Sequence, residues 1–356
     1  MARPRTDNVV VLMRMGQGNG PAYLIPLANA IQPARLRVIR PACKPPALTV
    51  QNHDYVDVSG GTNAWEVIKV SVRGLIDVLR LRPALLASFN AYPYGIIAFL
   101  IGWLTRTPAH IGFVGSDIQR LRKIPPILRL LSTAALITAP GPTTVRLLTD
   151  AGVSADVHTL THGVDRKRFF DPGGSRDIDI VYVGALIPRK RVDLLIEALR
   201  ILQEEGHRAR SVTIVGDGEE RTSLKDLTRL YGLDQIEFVG QQAHPEQWLS
   251  RAKLLVMPSA WEGLAFALVE AMRCEVVPVV TDVASTRDLV QHGYNGVLLD
   301  PTSGPKAIAE AIRKLLDDSD TRECLSRTAI ETTDEFTYER TEREWRMMLG
   351  EPHGQS

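Results

Sequence analysis

Cysteine is scarce in this chain. Cys43, Cys274 and Cys324 are the only three in 356 residues. They are odd in number and far apart, so no disulfide framework and no C-x-x-C metal site follows, and a reducing compartment is the natural setting. Long apolar runs are also missing. The longest, Tyr94 to Leu104, is well short of the roughly 20 residues needed to cross a bilayer, and it reads as a buried helix. The N-terminal MARPRTDNVVVLM lacks the longer apolar core of a signal peptide, so a cytoplasmic protein is expected. No H-E-x-x-H, no G-K-[ST] phosphate loop and no D-x-D placed like a metal anchor occurs. The bland reading of Asp317-Asp318-Ser319-Asp320 is a solvated turn. No metal and no cofactor are expected.

What is present suits a soluble globular protein of two domains, with 44% hydrophobic and 23% charged residues. The formal net charge of +1 hides an asymmetry. Residues 1–170 carry 20 Lys and Arg against 9 Asp and Glu, whereas residues 171–356 carry 22 against 32. A basic first half fits an anionic partner such as a phosphorylated lipid, a membrane surface or an acidic glycan. It fits equally well a simple attraction between two oppositely charged domains. Nucleic acid is not expected as a partner.

The chain is organised around Leu254 to Val280. Leu254 to Met257 is short and apolar enough for a buried parallel strand, which Pro258 and Ser259 stop. Glu262 and Gly263 stand in a loop before a helix in which Leu264, Leu268 and Met272 recur at helical spacing. Val276 to Val280 is the next buried strand. Glu270 follows Glu262 by eight residues, a little over two helical turns, so a loop that curls back would let both carboxylates face one crevice. A loop entering a helix N-terminus at a strand's carboxyl end is where open α/β sheets bind phosphorylated ligands.

In order from the start, Val9 to Met13 is a buried strand running into Gly16, Gln17, Gly18, Asn19, Gly20 and Pro21. A dinucleotide fingerprint needs glycine where Pro21 stands, and no acid ends the next strand, Leu36 to Arg40, so NAD is disfavoured. Trp65 to Leu81 is helical, Leu85 to Phe89 a strand and Ala109 to Phe113 another, with His110 inside it as a core or cleft-wall residue. Arg120 to Leu131 interleaves cations with apolar residues, as an interfacial segment would. Pro125 and Pro126 break it, which favours a solvated connector. Asp171 to Ser175 reads as the linker. Beyond it strands and helices alternate from Ile178 onward, with Pro245 to Ala252 as a helix and a late helix near Lys306 to Leu316. Such alternation gives a parallel doubly wound sheet.

WEGLAFALVEAM resembles the E-x7-E signature of the large family of retaining glycosyltransferases of the GT-B fold, glycosyltransferase family 4 (group 1). VYVGALIPRKRVDLLIEAL, VTIVGDGEE, IEFVGQQ and DLVQHGYNGVLLDP are similar to further markers of that family, in the right order. The resemblance implies two Rossmann-like domains facing a cleft. They would be an acceptor-side domain over 1–170, a nucleotide-sugar donor domain over 171–335, and a terminal helix over 336–356 returning to the first. His162-Gly163-Val164-Asp165 with Phe169 is similar to the family's N-G-V-D…F crossing, with His162 for the usual Asn. Val114 stands where the family often has a histidine near the transferred sugar, and Asp288 where it mostly has Glu.

By the same resemblance, Lys190 contacts the donor diphosphate and Glu262 holds the sugar hydroxyls with the backbone of Gly263 and Leu264. Glu270 would accept hydrogen bonds from the ribose. Gly184, Val239 and Gly240 would line the donor, as Gly216 and Gly218 could, although turn geometry alone accounts for those two. Gly16 would bring the first domain's backbone close to it, though a plain tight turn fits Gly16 as well. Ala185 stands where an arginine usually assists the lysine, and Arg189 or Arg191 could replace it. Breaking a sugar–diphosphate bond puts negative charge on the leaving phosphate, which such cations stabilise. The expected activity is metal-independent, retaining transfer from a UDP- or GDP-sugar to a glycan or lipid-linked acceptor, with peripheral association at the inner membrane face through the basic domain. Two other classes remain open: a sugar-nucleotide epimerase on the same fold, and a weak or inert glycosyltransferase-like partner protein, which Ala185 and Val114 favour.

Overall fold

The computed structural model describes residues 6–13, 20–41, 53–58, 63–207, 209–263 and 265–350. Gly16 and Leu264 lie outside them. The chain forms two compact units, Met1–Gly163 with Tyr338–Ser356, and Val164–Thr337.

In the first unit seven parallel strands follow the order β3-β2-β1-β4-β5-β6-β7. They are β1 (Thr6–Leu12), β2 (Leu36–Pro41), β3 (His53–Val58), β4 (Pro83–Ser88), β5 (Ala109–Gly112), β6 (Leu136–Ala139) and β7 (Val157–Thr159). The central strands are fully buried at Val10, Val11, Leu86 and Ile111, as a sheet covered on both faces requires. The helices are α1 (Gly20–Ala30), α2 (Asn63–Leu81), α3 (Ile96–Thr105), α4 (Gly115–Leu121), α5 (Pro125–Leu131) and α6 (Pro142–Asp150). Val70 and Val78 of α2 and Ala98 and Ile101 of α3 join Val10, Leu12 and Leu86 in one apolar layer. Gly74 lets α2 lie close to the sheet, since a Cβ there would sit 2.9 Å from Leu12.

The second unit has six parallel strands in the order β10-β9-β8-β11-β12-β13. These are β8 (Ile178–Val183), β9 (Val212–Val215), β10 (Ile236–Gly240), β11 (Ala252–Met257), β12 (Val277–Thr281) and β13 (Val297–Leu299). Around them lie α7 (Val192–Glu204), α8 (Arg221–Leu230), α9 (Glu246–Leu249), α10 (Phe266–Arg273), α11 (Thr286–Leu289), α12 (Pro305–Asp317) and α13 (Ser319–Thr332). Strand order reverses between β8 and β11, which are hydrogen-bonded neighbours. The crevice at the carboxyl ends of such a pair is where doubly wound sheets bind ligands.

The last helix, α14 (Tyr338–Leu349), belongs to the first unit. Trp345 is fully buried there among Leu24, Leu27 and Phe89. Glu344 accepts from the Thr161 amide at 2.8 Å and from its hydroxyl at 2.9 Å. Thr341 donates to the Thr161 carbonyl and accepts from the Gly163 amide.

Four sequence expectations change. The chain leaves the first unit after Gly163, not at 171–175, because Phe169 is buried in the second unit's core and Val164 bonds to Phe336. The stretch 245–252 holds only one helical turn, because Ala252 already starts a strand paired with β8. Asp318 is no solvated turn residue; it caps α13, accepting from the Thr321 amide at 2.9 Å. The helix after Tyr94 is not buried all round: Leu100, Trp103 and Leu104 of α3 are exposed. At Arg120 to Leu131 the prolines do break the segment, leaving α4 and α5 as separate short helices with Pro125 opening the second. Among the described residues no helix is long and apolar enough to cross a membrane.

Candidate active site

Strand β8 ends at Val183, and the chain passes Gly184 and Ala185 to one 3₁₀ turn, Pro188–Lys190. Arg191 follows in the left-handed region at φ 48° and starts α7. Strand β11 ends at Met257, and Pro258 and Ser259 carry the chain to Glu262 and Gly263 before α10. The two loops are tied together. Ala260 donates its amide to the Arg189 carbonyl at 2.8 Å, and Arg191 donates through Nε to the Pro258 carbonyl at 2.8 Å.

This junction brings Lys190 to Glu262. The Lys190 Nζ lies 2.6 Å from one carboxylate oxygen of Glu262 and 2.7 Å from the other. The Ser259 hydroxyl donates to Glu262 Oε1 at 2.5 Å. Glu262 is only 3% exposed, and burying a carboxylate without such partners is costly. Arg191 is committed to backbone carbonyls. Arg189 makes no side-chain hydrogen bond or ion pair among the described residues, so its guanidinium is the cation of this loop left for a ligand.

Three glycines close the crevice with backbone. A Cβ on Gly216 would stand 1.8 Å from the Gly184 carbonyl oxygen, and one on Gly218 would stand 2.2 Å from that of Leu186. Gly216 also has φ 150° and donates to the Gly240 carbonyl. Only glycine permits this approach of β8, β9 and β10 ends, so turn geometry explains Gly216 and Gly218 as fully as any ligand would. Gly240, at φ 76°, has open space around it except for the Arg221 guanidinium 3.6 Å away. Val239 precedes it and is half-buried. Beneath the junction, Tyr182 is buried and donates to the Ala185 carbonyl at 3.0 Å. Its phenol is pushed upward by burial and then by the negative charge of Glu262.

Glu270 follows Glu262 by eight residues, on α10. It is half-buried, and burial raises its carboxyl to about 7; the charges acting on it are Arg168, which lowers it, and Glu246, which raises it. Arg168 is itself bound to Glu246 at 2.8 Å and to the Ala243 carbonyl at 3.1 Å. The structure brings Lys190, Arg189, Gly184, Glu262 and Gly263 to one junction, with Val239, Gly240 and Glu270 on adjoining elements. The sequence did not single out Ser259, Tyr182, Arg168 or Glu246. Ser259 reads only as a strand stop, and Glu246 only as part of a helix.

Val114 is half-buried beside β5, and His110 is buried with Nε2 2.9 Å from the Thr138 hydroxyl. Burial, then the neighbouring His162, lowers His110 to about 3. His110 is thus a neutral core residue at ordinary pH.

Residues 165–332 match the family model described as glycosyl transferases group 1. The alpha-D-kanosaminyltransferase of Streptomyces kanamyceticus is 32% identical over 153 residues, which cover 42% of this chain and 39% of that protein. The chain spans half or less of the length of the curated relatives it matches first. Two solved structures agree over nearly the whole chain. Anabaena HepE in complex with UDP-glucose aligns with a TM-score of 0.79 and 17% identity, covering 97% of this chain and 100% of that one. Sucrose-phosphate synthase from Thermosynechococcus elongatus aligns with a TM-score of 0.82 and 16% identity, covering 96% and 98%. The chain has the α/β GT-B fold of two Rossmann-like units, and its second unit carries the match to glycosyl transferases group 1.

Proposed function

We propose that this chain is a retaining glycosyltransferase of family 4. It takes a sugar from a UDP- or GDP-sugar and adds it to a glycan or lipid-linked acceptor, without a metal or a further cofactor. The observation that carries the reading is the Lys190–Glu262 pair at the junction of the β8 and β11 carboxyl ends, with the Arg189 guanidinium unengaged beside it. As the sugar C1–O bond breaks, charge grows on the leaving diphosphate. Lys190 and Arg189 supply fixed positive charge there, and the backbone of Gly263 adds a donor. Glu262 accepts from sugar hydroxyls while holding Lys190 in place. Glu270, when ionised, accepts two hydrogen bonds from the ribose. Arg189 takes the part of the arginine that Ala185 replaces. UDP is the first base to test, because HepE was solved with UDP-glucose.

The test is calorimetric titration of UDP and GDP into wild type and Arg189→Ala, followed by turnover of the matching nucleotide sugar. Arg189 makes no side-chain hydrogen bond or ion pair among the described residues, so its loss leaves stability unchanged and reports the ligand alone. Nucleotide binding weakened roughly tenfold or more in the variant supports the reading. Binding of neither nucleotide overturns it in favour of an inert partner protein. Turnover of the donor sugar to its epimer without an acceptor overturns it in favour of an isomerase.

A further inference from the structure

Helix α2 is apolar on two opposite sides. Val70, Gly74 and Val78 face the sheet and are buried. On the far side, Trp65, Ile68, Val72, Ile76 and Leu79 form an exposed stripe. Their spacings of three and four residues keep them within one narrow band of a helix with about 3.6 residues per turn. Trp65 is 59% exposed. Nothing in the unit's own core asks for these side chains.

Helix α3 extends the stripe. It packs beside α2 in the same apolar layer, with Ile101 reaching to within 3.5 Å of a Cβ built on Gly74. Its outward residues are Leu100, Trp103 and Leu104, and Trp103 is 76% exposed. No charged residue occurs in its ten positions. Two adjacent helices therefore present one apolar surface with two indoles, larger than the scattered single residues of an ordinary surface.

The exposed charges flanking this surface are predominantly positive. Lys69, Arg80, Arg82 and Arg106 are exposed on or just beyond the two helices. Asp77 is buried and bound by Arg37 at 2.8 Å and Arg73 at 3.1 Å, so it offers no free negative charge. Glu66, in the first turn of α2, is the remaining acid of these helices. A second copy docked on the same patch would set cations against cations, whereas an anionic surface is complementary to them.

We propose that the outer face of α2 and α3 is a docking surface for a lipid bilayer containing anionic headgroups. Trp65 and Trp103 seat at the level of the headgroups, where amphipathic rings are favoured, and the leucines and isoleucines enter the acyl boundary. Lys69, Arg80, Arg82 and Arg106 engage anionic headgroups. The helices lie on the membrane, and α3 at ten residues is far too short to span it. The inference rests on α2 and α3 and stands apart from the donor site, so it is tested without nucleotide.

The experiment is co-sedimentation of the whole chain with vesicles of phosphatidylcholine alone and with phosphatidylglycerol added. Sedimentation velocity without lipid is measured in parallel. Wild type binds the anionic vesicles, and high salt weakens that binding. Trp103→Ser/Leu104→Gln weakens it roughly tenfold or more, since two large apolar side chains that the bilayer would bury are lost. Lys69→Glu/Arg80→Glu removes the preference for phosphatidylglycerol. All substituted residues are exposed, and thermal unfolding of each variant checks that it is folded. Absence of vesicle binding by wild type overturns the proposal, as does full binding by Trp103→Ser/Leu104→Gln. A wild-type dimer that the same double substitution converts to monomer also overturns it and assigns the face to a second copy.

Discussion

Lys190 grips Glu262 with one ammonium nitrogen set within 2.7 Å of both carboxylate oxygens. Their sequence positions differ by 72 residues, and the contact exists because β8 and β11 are neighbours in the sheet. Lys190→Met leaves a buried carboxylate without its cation. A loss of roughly 3 kcal/mol is expected in urea unfolding. Lys190→Met/Glu262→Gln, which removes both charges, recovers more than half of it. A double-variant loss equal to the sum of the Lys190→Met and Glu262→Gln single losses would show that the pair contributes no coupling.

With the ribose role proposed for it, Glu270 is expected to set a pH dependence on ligand capture. Its carboxyl is raised to about 7 by burial, so below that value it is largely protonated and cannot accept two ribose hydrogen bonds. Nucleotide affinity therefore rises as pH increases through 7, and binding releases a proton. Titrations from pH 5.5 to 8.5, spanning the value of about 7, check this in wild type and Glu270→Gln. The variant is expected to bind weakly with a flat profile. A wild-type profile equally flat would remove Glu270 from the ribose site.

Gly216→Ala tests the backbone crevice. The added methyl would overlap the Gly184 carbonyl oxygen, and the φ of 150° disfavours any side chain. Destabilisation of about 3 kcal/mol or more is expected, with loss of nucleotide binding. Gly240→Asn is the contrast, because φ is 76° and the nearest atom is the mobile end of Arg221 at 3.6 Å. Asparagine tolerates that region, so a cost near 1 kcal/mol is expected. Differential scanning calorimetry of the two variants separates steric exclusion from mere preference for glycine.

The first unit holds titrating groups of opposite effect. His110 and His162 are each lowered to about 3 by burial, so the unfolded chain binds their protons below 6.5 and the folded chain does not. Their contribution to stability is complete above 6.5 and is lost as pH falls toward 3. Asp117 opposes them. Burial raises it to about 7, against the pull of the Ala91 amide, so its contribution is complete below its usual value and is lost as pH rises toward 7. Near pH 5 two histidines outweigh one aspartate, and stability rises with pH by about 1.4 kcal/mol per unit. Asp117→Asn should roughly double that slope. His110→Phe/Thr138→Val should nearly abolish it. Urea titrations across the interval read the slopes directly.

Much of the second unit was legible because its strands are short, mostly apolar runs, several of them ended by glycine, proline or acid. Glu262 and Lys190 could each be put at a strand's carboxyl end. Their pairing could not be read, because periodicity says nothing about which strands become neighbours. Glu270 shows the same limit: spacing put it on the α10 face, but the burial that raises it and the charges of Arg168 and Glu246 acting on it come from the tertiary fold. Asp318 was indistinguishable from a turn acid until α13 followed it. The outer face of α3 was misjudged for another reason. Leu100 and Trp103 are as apolar as Phe99 and Ile101, and composition alone cannot say which side of a helix meets the sheet.

The attachment of α14 to the first unit bears on the order of biosynthesis. The slot lined by Leu24, Leu27 and Phe89 is filled by Trp345. On the ribosome that tryptophan emerges only after all of Val164–Thr337 has been made. The second unit is a continuous segment and can close as soon as it leaves the exit tunnel. The first unit is translated earlier yet stays uncapped until the end, with the Thr161 hydroxyl and amide awaiting Glu344. The half that begins the chain is therefore the last to be finished.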